Sequence, residues 1–419
     1  MVLNKTIKPA NKISGIIDIP SSKSHAQRAV ACSLISKEAT TILNFGDSKD
    51  ELTALQILKQ SNKIISHEKK IIKIASSSNF NFKDKNISFN EAGLSCRLFT
   101  PILANSEQYL ILNGNGSLLK RPMGIFNSVF KKISVNFSSK NNKLPFTING
   151  PINPKSILID GSLSSQFISG LIYAYVGSDK LKTETIKIKN PKSVPYIELS
   201  LDVLKSFGVE LKLNKNTIHF NGPYNLKPTS ITIENDWSSA SFFIVAAAIL
   251  GNITIKNINA NSKQADSRIL SVIEEFGANV SWNKNALNIS KNECVSFDFD
   301  ASNSPDLFPP LAVLASFGSK TSSIKGVERL YAKESNRAKT IKSELSKLGA
   351  NINISDNTMF VSPRSEPITF NVNSCNDHRI AMAASIFALM LDKPTLIKDS
   401  SAVNKSFPSF YKLLDSVTL

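Results

Sequence analysis

The chain has 419 residues, of which 42% are hydrophobic and 20% charged, and its formal net charge at pH 7 is +17. This length predicts two domains, and the composition is typical of a soluble globular protein. The longest apolar run, Phe242 to Leu250, is too short to cross a membrane, and the N-terminal residues lack the apolar core of a signal peptide. We therefore expect a cytoplasmic protein with no membrane contact.

Neither the cysteines nor the charge identifies a ligand. Cys32, Cys96, Cys294 and Cys375 show no CxxC spacing, so neither a metal site nor a disulfide framework is indicated. The lysines are spread along the chain and form no basic tail. The positive charge is compatible with nucleic-acid binding, with steering of a small anionic substrate into a cationic cleft, or with compositional bias alone.

The first predicted helix begins within Pro20 to Arg28. The proline and two serines lead into the apolar run 29–35, which is a helix-start signal with hydroxyls that can cap free backbone N–H groups. Lys23 lies at the helix start, and Arg28 follows Ser24 by about one turn. Backbone donors, the positive end of the helix dipole and two cations therefore favour a phosphate or carboxylate here. A capped surface helix with solvated cations is the alternative.

Small or polar residues lead into an apolar helical segment six times along the chain. These starts are about 70 residues apart, at Ser24, Ser95, Ser165, Ser239, Phe308 and His378. In most units a second helix ends before a glycine, such as Gly208, Gly277 or Gly349, and short alternating strands fill the gaps. The spacing predicts six α/β units, three in each of two domains. A generic layered α/β protein is the alternative.

The candidate linkers lie near 17–20 and 228–236. If the first unit begins after Pro20, the N-terminal strand must join the last three units, and one domain is discontinuous. We predict one domain formed by 1–20 plus 234–419 and a second formed by 21–233. Two chain crossings at one point make a hinge plausible.

Charged and hydroxyl residues are concentrated at the starts of the predicted helices. Charge-assisted hydrogen bonds contribute roughly 1.5–3 kcal/mol each, so several cations could bind a multiply anionic substrate. Glu334, near Lys333 and Arg337, is a candidate proton-transfer group. Each residue also has a structural interpretation: Lys-Glu-x-x-Arg as a solvated helix face, Asp306 as a helix cap, and His378 as a structural histidine. No nucleophile elbow and no glycine-rich phosphate loop occurs.

At these residues the chain resembles the EPSP synthase family of enolpyruvyl transferases. The resemblance covers essentially the whole chain, through Ser22-Lys23-Ser24 with Arg28, Lys120-Arg121-Pro122, Asp160 to Phe167, Pro195 to Glu198, Asp236 to Ala240, Lys333 to Arg337, Asn376 to Arg379 and Lys405 to Pro408. It implies an α/β (α+β) fold, a two-domain inside-out α/β barrel with six βαβαββ repeats, three per domain. The active site would lie in the cleft that the helix N-termini face.

The resemblance implies transfer of the enolpyruvyl group of phosphoenolpyruvate to the 5-hydroxyl of shikimate 3-phosphate by addition and elimination, releasing phosphate. This reaction belongs to chorismate and aromatic amino acid biosynthesis and needs no cofactor or metal. The residues implied to bind shikimate 3-phosphate are Lys23, Ser24, Arg28, Ser164, Ser165, Gln166, Ser193, Asp306 and Lys333. Those implied to bind phosphoenolpyruvate are Lys23, Gly93, Arg121, Gln166, Arg337, Arg379 and Lys405.

The same resemblance implies three catalytic residues. Asp306 would take the 5-hydroxyl proton, and Glu334 and Lys23 would move a proton on and off the methylene carbon. We expect a monomer that binds no nucleic acid. The chain departs from the usual Asn-Ala-Gly-Thr of the family, with Glu91 and Leu94 in place of the amide and the hydroxyl.

Two other functions compete with this interpretation. The related transferase acting on UDP-N-acetylglucosamine has a cysteine in the loop that corresponds to 113–121, and this loop has none. A non-catalytic basic protein would bind polynucleotide with a steep salt dependence and release no phosphate.

Overall fold

A computed structural model describes residues 3–78 and 80–419 of the chain. Within these residues the chain forms two compact units: unit 1 comprises 1–20 and 235–419, and unit 2 comprises 21–234. Across the described ranges, the helices are all too short or too polar to span a bilayer.

The helices and strands alternate along the chain, as the periodicity predicts. The α-helices are α1 (Lys23–Ile35), α2 (Lys49–Gln60), α3 (Gly93–Leu103), α4 (Ile125–Lys132), α5 (Ser165–Val176), α6 (Val194–Ser206), α7 (Trp237–Leu250), α8 (Ile269–Glu275), α9 (Phe308–Ser316), α10 (Arg337–Lys347), α11 (His378–Ala388) and α12 (Phe410–Val417). The strands are β1 (Lys5–Ile7), β2 (Ile13–Asp18), β3 (Thr40–Leu43), β4 (Ile65–Glu68), β5 (Ile71–Ile74), β6 (Asn86–Ser88), β7 (Tyr109–Asn113), β8 (Asn136–Lys140), β9 (Lys143–Asn149), β10 (Ile157–Asp160), β11 (Thr183–Lys189), β12 (Leu213–Asn214), β13 (Thr217–Asn221), β14 (Thr229–Thr232), β15 (Gly251–Lys256), β16 (Asn279–Asn283), β17 (Ala286–Ser290), β18 (Asp298–Asp300), β19 (Ser322–Lys325), β20 (Asn351–Ser355), β21 (Thr358–Ser362), β22 (Asn371–Asn373) and β23 (Thr395–Lys398).

Six small sheets divide these elements into repeats. Three sheets come from one continuous stretch each and have the orders β6-β7-β9-β8, β10-β11-β13-β12 and β18-β19-β21-β20. In each, the first two strands are parallel and the last two form an antiparallel hairpin, which is the predicted βαβαββ pattern. The predicted fold class, with six such repeats, is confirmed, although one sheet has three strands, in the order β1-β23-β22.

Each of the three remaining sheets contains a strand from a distant part of the chain, and in one of them β1 pairs antiparallel with β23. Strand β2 pairs in parallel with β15, and β14 pairs in parallel with β3. The segments interpreted as linkers therefore include sheet strands. Their alternating apolar residues explain this, because Ile13 and Ile17 of β2 and Ile231 of β14 are buried.

The first helix of each repeat is buried along nearly its whole length. Helices α1, α3 and α5 lie in the hydrophobic core of unit 2, and α7, α9 and α11 in that of unit 1. A helix that is apolar on all sides has to be buried, and α7 shows this, since only Leu250 at its end is partly exposed. Several second helices end at a glycine that takes up a positive φ, such as Gly277 (96°) after α8 and Gly349 (100°) after α10.

Lys63 is buried at the C-terminal end of α1. Its ammonium donates to the carbonyl oxygen of Ser36, the residue that ends α1, at 2.6 Å and to that of Ser77 at 3.3 Å. Its contacts among the described residues include no carboxylate. Burial lowers the pKa of Lys63 to about 8, because the charged form loses hydration.

The low pKa of Lys63 predicts a pH-dependent stability. The charged amine is disfavoured in the folded state, which lowers the free energy of unfolding. This destabilisation is fully present below pH 8 and is relieved as pH rises toward the ordinary lysine pKa. Between pH 7 and 9.5 the free energy of unfolding of the wild type should gain about 1–2 kcal/mol relative to Lys63→Met. Urea unfolding at both pH values measures this, with the exposed Lys59→Met as control. A constant difference between the wild type and Lys63→Met would contradict the assignment.

Candidate functional site

Arg28 connects the start of α1 to the start of α6. Its guanidinium donates to the Oγ of Ser200 at 2.8 Å, to the carbonyl oxygen of Tyr196 at 3.1 Å and to that of Ser24 at 2.7 Å. It also lies over the Tyr196 ring, 5.7 Å from its centroid. Arg28 is buried, so only the N–H groups that remain on its two terminal nitrogens could reach a substrate.

The start of α5 contacts the first turn of α3. Arg97 donates to the Oε1 of Gln166 at 2.9 Å, and the Ser164 hydroxyl caps α5 by accepting from the Gln166 backbone N–H at 3.2 Å. Ser95 of α3 donates to the Oε1 of Gln27 in α1 at 2.8 Å. Side-chain hydrogen bonds therefore join α1 to α3 and α6, and α3 to α5, within unit 2.

Lys23 forms an ion pair that was not predicted from the sequence. Its Nζ lies 2.9 Å from the Oδ2 of Asp50, and both side chains are largely buried. Asp50 is in the first turn of α2, whose N-terminus is fixed by a reciprocal capping box between Ser48 and Glu51. The Ser-x-x-Glu signature does predict this helix start. The sequence gives no indication that the acidic residue inside it faces Lys23.

Gly93 and Arg121 are in close contact. A Cβ on Gly93 would overlap the Nη1 of Arg121 and would lie 3.3 Å from its Cζ, so the guanidinium packs directly on the glycine backbone. Nearby, Glu91 occupies the space that a Cβ on Gly116 would need, at the start of the 3-10 helix Gly116–Lys120 that leads to Arg121. Glu91, at which the chain departs from the resembled family, therefore lies against the loop that carries this arginine.

Ser193 adopts a left-handed backbone conformation immediately before α6. Its φ and ψ are 52° and 45°, and the residue is buried. Non-glycine residues in this region are uncommon, and such conformations are concentrated at functional sites. Nothing in the sequence around Ser193 signals this geometry.

In unit 1, the carboxylate of Asp306 contacts three cations. Its Oδ1 lies 2.8 Å from the Nη1 of Arg337 and 3.1 Å from the Nζ of Lys333, and its Oδ2 lies 3.1 Å from the Nη2 of Arg379. Burial alone would raise the pKa of Asp306, but Arg379, Lys333 and Arg337 together hold it well below its usual value. The alternative interpretation of Asp306 as a helix cap is wrong, since the cap positions are Ser304 for the 3-10 helix Pro305–Leu307 and Leu307 for α9.

Arg337 is the centre of this cluster. Besides Asp306 it contacts Glu334 through Nη2, and it binds Asp377 through Nε at 2.9 Å and Nη2 at 3.2 Å. Asp377 also caps α11 by accepting from the backbone N–H of Arg379 at 3.0 Å. These three carboxylates raise the pKa of Arg337 despite its burial. Lys333 and Glu334 precede α10, so they are not part of a solvated helix face.

Lys405 is attached to the loop before α11. Its Nζ donates to the carbonyl oxygen of Asn376 at 2.8 Å, and the residue is buried. The predicted site residues therefore fall into two sets, one in each unit. Unit 2 holds Lys23, Ser24, Arg28, Gly93, Arg121, Ser164, Ser165, Gln166 and Ser193, and unit 1 holds Asp306, Lys333, Glu334, Arg337, Arg379 and Lys405.

Comparison with known proteins gives one consistent family. The model of the EPSP synthase (3-phosphoshikimate 1-carboxyvinyltransferase) family matches residues 7–414. A 3-phosphoshikimate 1-carboxyvinyltransferase of Clostridium novyi is 32% identical over 420 residues, covering 97% of this chain and 96% of the relative. One of Clostridium acetobutylicum is 33% identical over 407 residues, covering 95% and 94%. An EPSP synthase structure from Acinetobacter baumannii has a similar fold, with a TM-score of 0.82 at 22% identity over 100% of this chain and 99% of that one.

Proposed function

The chain belongs to the EPSP synthase (3-phosphoshikimate 1-carboxyvinyltransferase) family, and we propose that it transfers the enolpyruvyl group of phosphoenolpyruvate to the 5-hydroxyl of shikimate 3-phosphate. The products are 5-enolpyruvylshikimate 3-phosphate and phosphate. The protein is a transferase of the shikimate pathway and acts in aromatic amino acid biosynthesis. The observation that supports this most strongly is the carboxylate of Asp306 held by Lys333, Arg337 and Arg379.

We assign shikimate 3-phosphate mainly to the helix starts of unit 2. Ser24, Ser164, Ser165 and Gln166 lie in or next to the first turns of α1 and α5, where free backbone N–H groups and the helix dipole favour a phosphate. The left-handed Ser193 lies at the start of α6. The remaining residues of this assignment are Lys23, Arg28, Asp306 and Lys333.

We assign phosphoenolpyruvate, which carries a carboxylate and a phosphate, to the cations of both units. Guanidinium groups bind such groups in bidentate fashion, which suits Arg121, Arg337 and Arg379. Gly93 supports Arg121 directly. Lys23, Gln166 and Lys405 complete this assignment.

The pairing of Asp306 has a consequence for its role as a base. A carboxylate with a pKa well below its usual value is ionised at neutral pH but is a weak proton acceptor. Anionic substrate groups that engage Lys333, Arg337 and Arg379 would weaken these ion pairs and raise the basicity of Asp306. The carboxylate would then take the proton of the 5-hydroxyl when substrate is bound.

We assign the other proton transfers to Glu334 and Lys23. In the addition step, the 5-oxygen attacks C2 of phosphoenolpyruvate and C3 gains a proton, which gives a tetrahedral ketal phosphate. In the elimination step, C3 loses a proton and the bond from C2 to the phosphate oxygen breaks. The surrounding cations stabilise the developing charge on the leaving phosphate by fixed electrostatic contacts.

The experiment combines the purified chain with phosphoenolpyruvate and shikimate 3-phosphate. We expect phosphate release together with the enolpyruvyl product, detected by mass spectrometry. UDP-N-acetylglucosamine serves as the alternative acceptor, and turnover with this acceptor alone would overturn the proposal. The family match favours neither the UDP-sugar nor the nucleic-acid alternative.

We also propose that the protein acts as a cytoplasmic monomer and does not bind nucleic acid. Its proposed substrates are small phosphorylated metabolites, which account for a basic protein without a polynucleotide partner. Light scattering should give the mass of one chain, 45.8 kDa. Binding of a labelled polynucleotide by the purified protein at physiological salt would contradict the proposal that it does not bind nucleic acid.

Replacing Gly93 by Ala should weaken phosphoenolpyruvate binding selectively. The new methyl group would overlap the guanidinium of Arg121, which must then move from its position. We expect the KM for phosphoenolpyruvate to rise about tenfold, equivalent to about 1.4 kcal/mol, with little change in the KM for shikimate 3-phosphate. Steady-state kinetics with each substrate varied in turn measures this.

Gly124→Ala is the matched control, because the three atoms nearest to a Cβ there all belong to the side chain of Asn142, at 3.3 Å or more. Equal KM values for Gly93→Ala and wild type would show that Arg121 does not hold phosphoenolpyruvate.

A further inference from the structure

The hydrogen-bonded charged residues of the unit 1 cluster balance one another in number. Within the hydrogen-bonded set, three cations face three carboxylates: Lys333, Arg337 and Arg379 against Asp306, Glu334 and Asp377. An anionic substrate that engages these cations therefore adds negative charge to a neutral set. A compensating positive charge, in addition to the assigned Lys23, Arg121 and Lys405, would make such binding more favourable.

Asp266 is a further buried carboxylate beside this cluster. It belongs to the 3-10 helix Ala265–Arg268 and is fully buried. Its Oδ2 accepts from the hydroxyl of Ser238, at the start of α7. Its Oδ1 has no hydrogen-bond donor among residues 3–78 and 80–419.

The charges that act on Asp266 come from several elements. Asp236, the cap of α7, and Asp306, before α9, disfavour its ionised form, whereas Arg379 of α11 favours it. Arg268, at the end of the same 3-10 helix, packs over the Phe299 ring, 4.8 Å from its centroid. Asp266 therefore depends on Arg379 as the cation that offsets its charge.

This environment makes Asp266 readily protonated. Burial, together with Asp306 and Asp236, raises its pKa to about 6 against the opposing effect of Arg379 and the Ser238 hydroxyl. The pKa of Asp306 is shifted in the opposite direction. When a substrate anion occupies Arg379, the support that this cation gives to ionised Asp266 is reduced.

We propose that Asp266 takes up a proton from solvent when the anionic substrate engages Arg379, so that substrate binding to unit 1 is coupled to protonation of this buried carboxyl. The proposal rests on the proposed function, in which that anion is phosphoenolpyruvate. One O–H bond forms on Asp266, and the proton returns to solvent when the site empties. Asp266 is a positioning residue, since it acts through Arg379.

Calorimetric titration with phosphoenolpyruvate tests the coupling. The protein is titrated at pH 6.5–7.5 in buffers that differ in ionisation enthalpy, which gives the number of protons taken up per ligand bound. We expect the wild type to take up more protons than Asp266→Asn, by up to one per ligand. Titration of the ligand's own phosphate is common to all variants and cancels in this difference. Asp300→Asn, which removes an exposed carboxylate of the same unit, should match the wild type.

Ser238→Ala provides a second test that leaves Asp266 in place. The Ser238 hydroxyl favours the ionised carboxylate, so its removal should shift proton uptake to higher pH. Equal proton numbers for wild type and Asp266→Asn, or an unchanged pH range for Ser238→Ala, would overturn the inference while leaving phosphate release intact. A chain that neither binds phosphoenolpyruvate nor releases phosphate would overturn the proposed function and this inference with it.

Discussion

Replacing Asp306 by Asn is expected to lower kcat by about 10²–10⁴-fold, the range that a positioned general base contributes. The amide keeps the shape of the side chain but cannot take the proton of the acceptor hydroxyl. It also loses the charge that pairs with Arg337 and Arg379. Phosphate release at saturating substrate concentrations measures the effect.

The matched control for this variant is Asp298→Asn, an exposed carboxylate of the same unit, which should retain normal turnover. Because the pKa of Asp306 lies well below its usual value, Asp306 stays ionised across pH 5–8 in the free enzyme. A fall of kcat/KM toward acidic pH within that range would therefore reflect the titration of another group. A kcat within tenfold of the wild type would refute the assignment of Asp306 as the base.

Replacing Asp377 by Ala should destabilise the fold by about 3–5 kcal/mol, the cost of removing one partner of a buried ion pair. Asp377 is fully buried, accepts two hydrogen bonds from the guanidinium of Arg337 and caps α11. Without it, Arg337 keeps its contacts with Asp306 and Glu334, and the helix loses its cap. Urea unfolding, with each transition fitted separately for a two-unit protein, measures the loss.

Asp392→Ala, at an exposed carboxylate of unit 1, is the control and should change the free energy of unfolding by no more than about 0.5 kcal/mol. The free energy of unfolding of Asp377→Asn should lie between those of Asp377→Ala and Asp392→Ala, because the amide oxygen still accepts hydrogen bonds but carries no charge. If Asp377→Ala cost less than about 1 kcal/mol, the pair with Arg337 would be unimportant for stability.

The sequence predicted the repeat architecture well because its signals are local. Helix starts at Ser22, Ser164 and Asp377 follow from short polar side chains that cap an apolar run, and the structure has each of them as a cap. The spacing of these starts then gave six repeats. A resemblance spanning nearly the whole chain added the function, which local signals alone do not supply.

The partners of the site residues could not be predicted in the same way. Lys23 with Asp50 and Asp306 with Arg379 come together only through the fold, and no local pattern links residues so far apart. Asp377 belongs to the motif Asn376 to Arg379, yet its ion pair with Arg337 requires α10 and α11 to start side by side. The left-handed backbone of Ser193 likewise depends on its tertiary surroundings.

The pairing of β2 with β15, far along the chain, bears on how the polypeptide folds during synthesis. Ser14 of β2 bonds to Asn252 of β15, 238 positions later, and translation at about 5–20 residues per second needs roughly ten to fifty seconds to cover that distance. Residues 21–234 contain every strand of their own three sheets, so they can fold before translation of the chain is complete. Strands β1 and β2 have to wait for β23 and β15, so their edges stay unpaired after residues 21–234 have been synthesised.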